Sequence, residues 1–476
     1  MSSPPATPRV VVIGGGITGL TVAYTLLEAR PDLDLHLLEA DDQVGGKVRT
    51  GPFAGHPVDA GPDAFLARVP EGIDLCRQLG LDADMVAPAS RSAYLYSRAA
   101  LRPFPEGLVL GVPTDLEALA RSGVMSPDGV ARAAQDLTMG PDQPGQADES
   151  VGALVRRRLG DEVYDVLVGP LLSGVNAGDA DHLSVAAGAP QFAAALEHHG
   201  SLIAGARAQR QASLASDAPV FFGLTGGIQT LTDTLAQRVA AAGGHLHTAT
   251  AAEAITPGTD TSYVVASSHG PLEADVVIAT TPLFVTGPLV APFAPEAAHE
   301  MGALEYASAV MVGLAVARDD IDHPLDASGF LVAGREGLVL TACSWASSKW
   351  AHLADPDVAI LRASAGRHHD RRALEMSDPD LVDALLTDLA TTMGVRGRPQ
   401  EVRVTRWERA LPQFRPGHLQ RVDNWRQEFG ERAPGLFATG AGFEGLGLPA
   451  CIRQAQATAK LALDLPLLRP SAIPPT

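Results

Sequence analysis

Cysteine is scarce in this chain. The three present, Cys76, Cys343 and Cys451, lie far apart with no metal-ligand spacing, which argues against a disulfide frame or a zinc site and suits a reducing cytosol. Positive charge is also short: 36 Lys and Arg face 55 Asp and Glu, a net charge of −19, so general attraction to nucleic acid or to an anionic membrane is not expected. The opening "MSSPPATPRV" has no basic region followed by an apolar stretch and a small-residue cleavage site. No signal peptide is read there, and a cytoplasmic location is expected. Long uncharged runs are equally rare. The longest, Val276 to Pro295, carries Pro282, Pro288, Pro292 and Pro295 and three threonines, so it is expected to be a buried strand followed by a loop rather than a membrane span.

What is present describes a folded enzyme-sized chain. With 476 residues, 46% hydrophobic and 19% charged, the length favours two or three domains with a sizeable core. The stretch "VVVIGGGITGL" sets a β-branched run, Val10–Ile13, against three glycines, and Leu20–Leu27 then resumes with helix formers. Strand, tight turn and helix are expected. The spacing Gly14-x-Gly16-x-x-Gly19 provides the turn, lets backbone approach a pyrophosphate, and lets the helix lie close on the strand with its N-terminus toward the phosphates. A second apolar run, "LDLHLLEA", ends near Glu39, twenty positions beyond Gly19. An acid there is placed to meet a ribose 2′-hydroxyl and disfavours a 2′-phosphate, which leaves FAD or NAD. "QVGGKVRT" follows, a second close-approach loop in which Gly45 and Gly46 stand beside Lys47 and Arg49, cations suited to a pyrophosphate or a flavin ring. Late in the chain, "GLFATGAGFEGLGLPACIRQA" reads as a short strand, Leu436–Thr439, then Gly440, Gly442, Gly445 and Gly447, then a helix from about Ala450 to Leu463. Such a helix N-terminus stabilises negative charge on a reduced flavin.

Together with "DAGPDAF", "GPLLSGVNAGDADHLSV" and "RWERALPQFRPGHL", these segments resemble the protoporphyrinogen/coproporphyrinogen III oxidase family of amine-oxidase-like flavoproteins, over nearly the whole chain. The second loop is the feature that favours FAD over NAD. The resemblance implies an α/β fold: a discontinuous Rossmann-type FAD-binding domain (1–90, 212–287 and 406–476), a mostly helical domain over the cleft (91–211) and an α+β substrate domain (288–405). It places non-covalent FAD against Gly14, Gly15, Gly16, Ile17, Thr18 and Gly19, against Glu39 and Ala40, and against Gly61, Pro62, Asp63 and Ala64. Ala252, Trp407, Gly440, Leu446, Gly447 and Leu448 complete that set. Ala441 stands where many flavoproteins have an acid, so contact at that point is expected from backbone.

For the substrate, the resemblance points to Asp63 and Arg91 and, either side of a macrocycle, to Leu331 and Ala342. The implied reaction removes six electrons from a porphyrinogen in three flavin cycles, with oxygen reoxidising the flavin and peroxide released. No obligatory side-chain base is implied, and Asp63 is expected to steady positive charge on the substrate. Coproporphyrinogen III is the expected substrate, with protoporphyrinogen IX the alternative. An amine oxidase or a carotenoid desaturase is a more remote reading. An aromatic content of 5%, without paired tyrosines near the last glycines, speaks against an amine-binding aromatic cage. A non-catalytic escort-type protein is the third alternative. Beyond substrate and oxygen, a ferrochelatase is a partner implied by such a product, with at most peripheral membrane contact. The stretches "GPDQPGQADES" and "GARAQRQASLASDAP" are expected to be mobile loops, and the basic run Arg362 to Leu374 a solvated helix start.

Overall fold

Val10, Val11 and Val12 are fully buried, as an apolar run covered on both faces of a sheet must be. The structure is a computed structural model that describes residues 7–141, 148–176, 178–214, 219–259 and 262–469. Arg9–Ile13 is the middle strand of a five-stranded sheet whose spatial order is His245–His247, Asp34–Leu38, Arg9–Ile13, Val276–Ala279, Leu436–Ala438, with every pair parallel. The chain winds outward one way and then the other from Arg9–Ile13. The crevice at the carboxyl ends of Arg9–Ile13 and Val276–Ala279 is therefore the switch point at which such sheets bind nucleotides. Val10, Val12, Leu35 and Leu37 point to one core beneath the helices Ile17–Ala29, Gln229–Ala241 and Leu448–Leu463. Val11, Ile13 and Val277 point to the other, closed by the helices Leu283–Val290, Pro295–Ala303 and His418–Arg432 and by a small antiparallel sheet.

The uncharged run from Val276 corrects one expectation. After the strand Val276–Ala279 comes a helix, Leu283–Val290, that contains Pro288, not a loop. Leu283, Leu289 and Val290 fill the core, and the Thr286 hydroxyl donates to the Thr281 carbonyl (3.0 Å); burial on this scale outweighs the backbone bond that proline forfeits. Among the described residues no helix is long and apolar enough to cross a membrane.

A second, seven-stranded sheet runs in the order Glu401–Pro412, Tyr306–Ala317, Val358–Ala365, Leu340–Trp345, Gly329–Val332, Tyr94–Ser97, Ala100–Pro103. Its first strand crosses residue 405 and its last two lie within 91–211, so the sheet takes strands from all three expected segments. A helical region, including Val151–Leu159, Gly169–Asn176, Pro190–His199 and Leu202–Leu214, packs with Leu95, Leu331 and Phe414 in one core. Within it Arg158 and Asp136, both fully buried, pair at 2.7 Å, and Asp136 also accepts from the Ser201 hydroxyl and the Ile203 amide. Residues 142–147 and 215–218 of the two expected loops lie outside the described residues. The rest of the second is helical, held by Arg207 Nε donating to the Thr114 carbonyl (2.8 Å) and by buried Ala206.

Candidate functional site

At the switch point the glycine turn and the acid meet. The Gly15 N–H donates to Glu39 Oε2 (2.6 Å) and the Asp41 N–H to Oε1 (2.9 Å), which holds the carboxylate at the carboxyl end of the second strand beside Ala40. Gly16 caps the helix Ile17–Ala29 and Gly447 caps Leu448–Leu463, and neither helix has a side-chain cap or an acid in its first turn. Two helix N-termini thus keep their backbone donors available for an anion. Ile17 and Thr18 are buried at the start of the first helix. A Cβ on Gly19 would sit 1.9 Å from the Gly14 carbonyl oxygen, so the helix lies on the turn as closely as backbone permits. Gly440, with φ +131°, abuts Thr18, and the Oγ1 of its neighbour Thr439 is buried without a partner. Leu448 is buried in the core of that closing helix, and Leu446 packs against the helical region. At the far end, Thr250 N–H donates to the Glu39 carbonyl and Ala249 N–H to that of Asp41 (both 2.7 Å), bringing the backbone around Ala252 alongside the acid. These donors, glycines and the single acid fit an adenine dinucleotide.

The second loop joins the first through Gly45, whose N–H donates to the Gly15 carbonyl (2.8 Å), and through a bridge between Gly16 and Gly45. Gly46 approaches Gly16. Lys47, one of the chain's three lysines, remains accessible while protein crowds it closely enough to depress its pKa, with Cys451 near. A side chain on the wall of a deep cleft has both properties. Arg49 is committed to the loop itself: it donates to the Val44 carbonyl (2.7 Å) and pairs with Asp41 (3.4 Å). Lys47→Met is expected to weaken flavin binding about tenfold, the cost of one charge-assisted contact; titrating apoprotein with FAD by fluorescence checks it, and unchanged affinity would remove Lys47 from the site.

The loop Gly61–Ala64 lies between this bed and the seven-stranded sheet. A Cβ on Gly61 would sit 2.2 Å from the Lys47 carbonyl oxygen. Trp407 Nε1 donates to the Ala60 carbonyl (2.9 Å) and Arg362 Nη2 to that of Gly61 (2.5 Å). Next to Pro62, Asp63 Oδ2 meets Lys349 Nζ (2.9 Å), Arg362 Nη1 (2.7 Å) and Trp350 Nε1 (3.3 Å). Burial alone would raise the Asp63 pKa; the Lys349 and Arg362 charges and these hydrogen bonds outweigh it and hold the carboxyl well below the usual range. The basic run from Arg362 is therefore no solvated helix start at its beginning. Arg362 lies within the strand Val358–Ala365 at 5% exposure, because its side chain packs onto the loop Gly61–Ala64.

Asp59 lies in the same cluster, accepting from the Thr50 hydroxyl (2.5 Å) and the Ile228 N–H (3.0 Å). Burial pushes it up to about 6, against those hydrogen bonds and the Arg362 charge. A raised carboxyl pKa means that the folded state holds the proton more tightly than the unfolded one, so stability falls as pH rises from about 4 to about 6. Asp59→Asn removes that penalty. Its stability relative to wild type is expected to rise across this window by about 2–3 kcal/mol, at 1.4 kcal/mol per unit, and urea unfolding of both proteins at pH 4.5, 5.5 and 7 checks it. A difference that does not change with pH would show Asp59 to titrate normally.

Leu331 and Ala342 are direct cross-strand partners on Gly329–Val332 and Leu340–Trp345. Both are half-buried, and Leu331 faces the helical core, so the two lie side by side on one face. Arg91 is exposed near the start of Tyr94–Ser97 and outside the Asp63 contacts. The two distinctive middle motifs touch each other: Ser184 N–H donates to the Phe414 carbonyl (2.7 Å), and a Cβ on Gly178 would strike Gln413. His418, fully buried, stacks on Phe414 at 4.4 Å and bonds the Phe443 carbonyl (2.8 Å), which ties this motif to the late glycine loop.

Residues 17–463 match the family model described as flavin containing amine oxidoreductase. The coproporphyrinogen III oxidase of Bacillus subtilis (strain 168) is 34% identical over 96% of this chain and 98% of its own, and that of Mycobacterium bovis is 36% identical over 94% and 95%. A crystal structure from Exiguobacterium sp. 255-15 superposes with a TM-score of 0.85 at 32% identity, covering 97% of this chain and 99% of the other.

Proposed function

Because the chain belongs to the flavin-containing amine oxidoreductase family, with FAD as its cofactor, we propose that it oxidises coproporphyrinogen III to coproporphyrin III with O2 as acceptor. Six hydrogens leave the tetrapyrrole in three two-electron steps, and three O2 become three H2O2. The similarity to enzymes named for this reaction, over at least 94% of this chain and 95% of theirs, is the observation that carries the reading.

FAD, when bound, supplies the hydride acceptor and the route to oxygen; the chain supplies position and charge. The turn Gly14–Gly19, Glu39 and Lys47 bind the dinucleotide. Trp407 and Arg362 hold the carbonyls of Ala60 and Gly61 and so fix the loop at the mouth of the cofactor crevice. Leu331 and Ala342 offer a flat apolar face to a macrocycle. Asp63, its charge already balanced by Lys349 and Arg362, serves to keep those two cations buried at the domain junction rather than to face a cation on the substrate. In this reading the enzyme works in the cytoplasm and its porphyrin product passes to a ferrochelatase.

The test is anaerobic reduction of the bound flavin, followed by absorbance, with coproporphyrinogen III and protoporphyrinogen IX offered separately. Faster bleaching by the first is expected. Preference for the second would replace the substrate assignment, and bleaching by neither would overturn the porphyrinogen reading.

A further inference from the structure

The outer edge of the parallel sheet gathers three histidines and an aspartate. Parallel pairing sets His245 beside His36; Asp34 and His247 stand two residues along the same strands and so share that face. Asp34 Oδ1 lies 3.0 Å from His36 Nε2 and 4.0 Å from His245 Nε2, and the three ligating atoms all lie within 4.8 Å of one another. We propose that Asp34, His36 and His245 form a binding site for a transition-metal dication of the zinc class.

Tetrahedral zinc with bonds of about 2.0–2.1 Å places its ligand atoms about 3.3 Å apart. The two observed separations bracket that figure, and His245, the most exposed of the three at 58%, closes the difference by rotating. Imidazole and carboxylate suit zinc, and water completes the shell. The supporting contact is already built. His247 Nε2 lies 2.9 Å from His36 Nδ1, with the rings nearly parallel at 6°. Without metal, His36 donates from Nε2 to Asp34 and accepts at Nδ1 from His247. With metal on Nε2, the His36 proton sits on Nδ1 and is donated to His247, the outer contact that orients metal-bound imidazoles. Arg9 also pairs with Asp34, but at Oδ2 (2.6 Å), leaving Oδ1 for the ion. The site is a strand's length from the cofactor crevice yet connected to it, since the His247 carbonyl accepts from the Glu39 N–H (2.8 Å). A bound ion would fasten the edge strand beside the ribose-binding acid.

Among the described residues one other grouping, Asp179, His182 and His369, has ligating atoms equally close, and it serves as the control. Flavin-loaded full-length protein is dialysed to equilibrium against zinc and its metal content read by atomic emission. Wild type and His182→Ala are expected to bind zinc alike and His245→Ala to bind about tenfold or more weakly, with zinc raising the unfolding temperature of wild type and not of His245→Ala. His245 is exposed, so flavin content confirms that the variant folds. No zinc bound by wild type, or equal affinity in wild type and His245→Ala, overturns the proposal.

Discussion

Arg362→Met is expected to cost about 3 kcal/mol of folding stability, the low end of what removing one member of a buried ion pair costs, and to reduce flavin retention with it. The guanidinium is 5% exposed, pairs with Asp63 at 2.7 Å and donates to the Gly61 carbonyl. Methionine keeps most of the volume and removes both interactions. Lys349 and Trp350 still reach Asp63, which is why the low end applies. If the loss is electrostatic, Arg362→Met costs less in an Asp63→Asn background than in wild type, because no carboxylate remains for the guanidinium to pair with; if it is packing, the two losses add. A double-mutant cycle by urea unfolding of the flavin-loaded protein separates the two. An Arg362→Met protein within about 0.5 kcal/mol of wild type, the size of an ordinary surface substitution, would refute the junction as described.

The parts of the site that were legible in the sequence are those whose chemistry is local. Gly14–Gly19 and Glu39 belong to one strand–turn–helix–strand unit, where spacing alone sets geometry, and the structure has the strand, turn and helix where the pattern expects them. The late glycines were legible for the same reason, and their helix begins at Leu448, two residues before the expected start, since Pro449 is at home in a first turn. What was not legible lies between elements. Asp63 is 286 residues from Lys349, and no periodicity couples them; the single hint was that Lys349, one of only three lysines, stands beside a tryptophan. Arg362 was hidden by its neighbours, because "RASAGRHHDRRAL" mixes the buried end of a strand with an exposed turn and averages to a surface composition. His36 and His247 are 211 residues apart and meet only through strand order, so linear ligand spacing could not find them. The helix Leu283–Val290 was lost to Pro288, whose local preference the core overrides.

Gly19→Val is expected to yield protein that holds no flavin and folds poorly, with a loss of more than about 3 kcal/mol, beyond ordinary overpacking because the obstruction is backbone. The new Cβ would stand 1.9 Å from the Gly14 carbonyl oxygen and 2.7 Å from Thr280 Oγ1. Neither can withdraw freely. Gly14 N–H donates to the Leu38 carbonyl (2.8 Å) in the next strand, and Thr280 Oγ1 donates across the switch point toward the Ile13 and Gly14 carbonyls (2.9 and 3.0 Å). The helix must therefore lift from the sheet, and its N-terminus leaves the position where it would face the pyrophosphate. Gly16→Ala separates this effect from the loss of the cofactor's own space. Its Cβ would meet no protein atom nearer than Gly46 Cα at 4.0 Å, and its backbone is extended, with φ −73°. That variant is expected to unfold as an apoprotein at the wild-type temperature while binding FAD more weakly. The ratio of flavin absorbance to protein, set beside thermal unfolding of both apoproteins, distinguishes the two. Full flavin content in Gly19→Val at wild-type stability would mean that the opening helix does not rest on the turn, and the cofactor bed described above would fall with it.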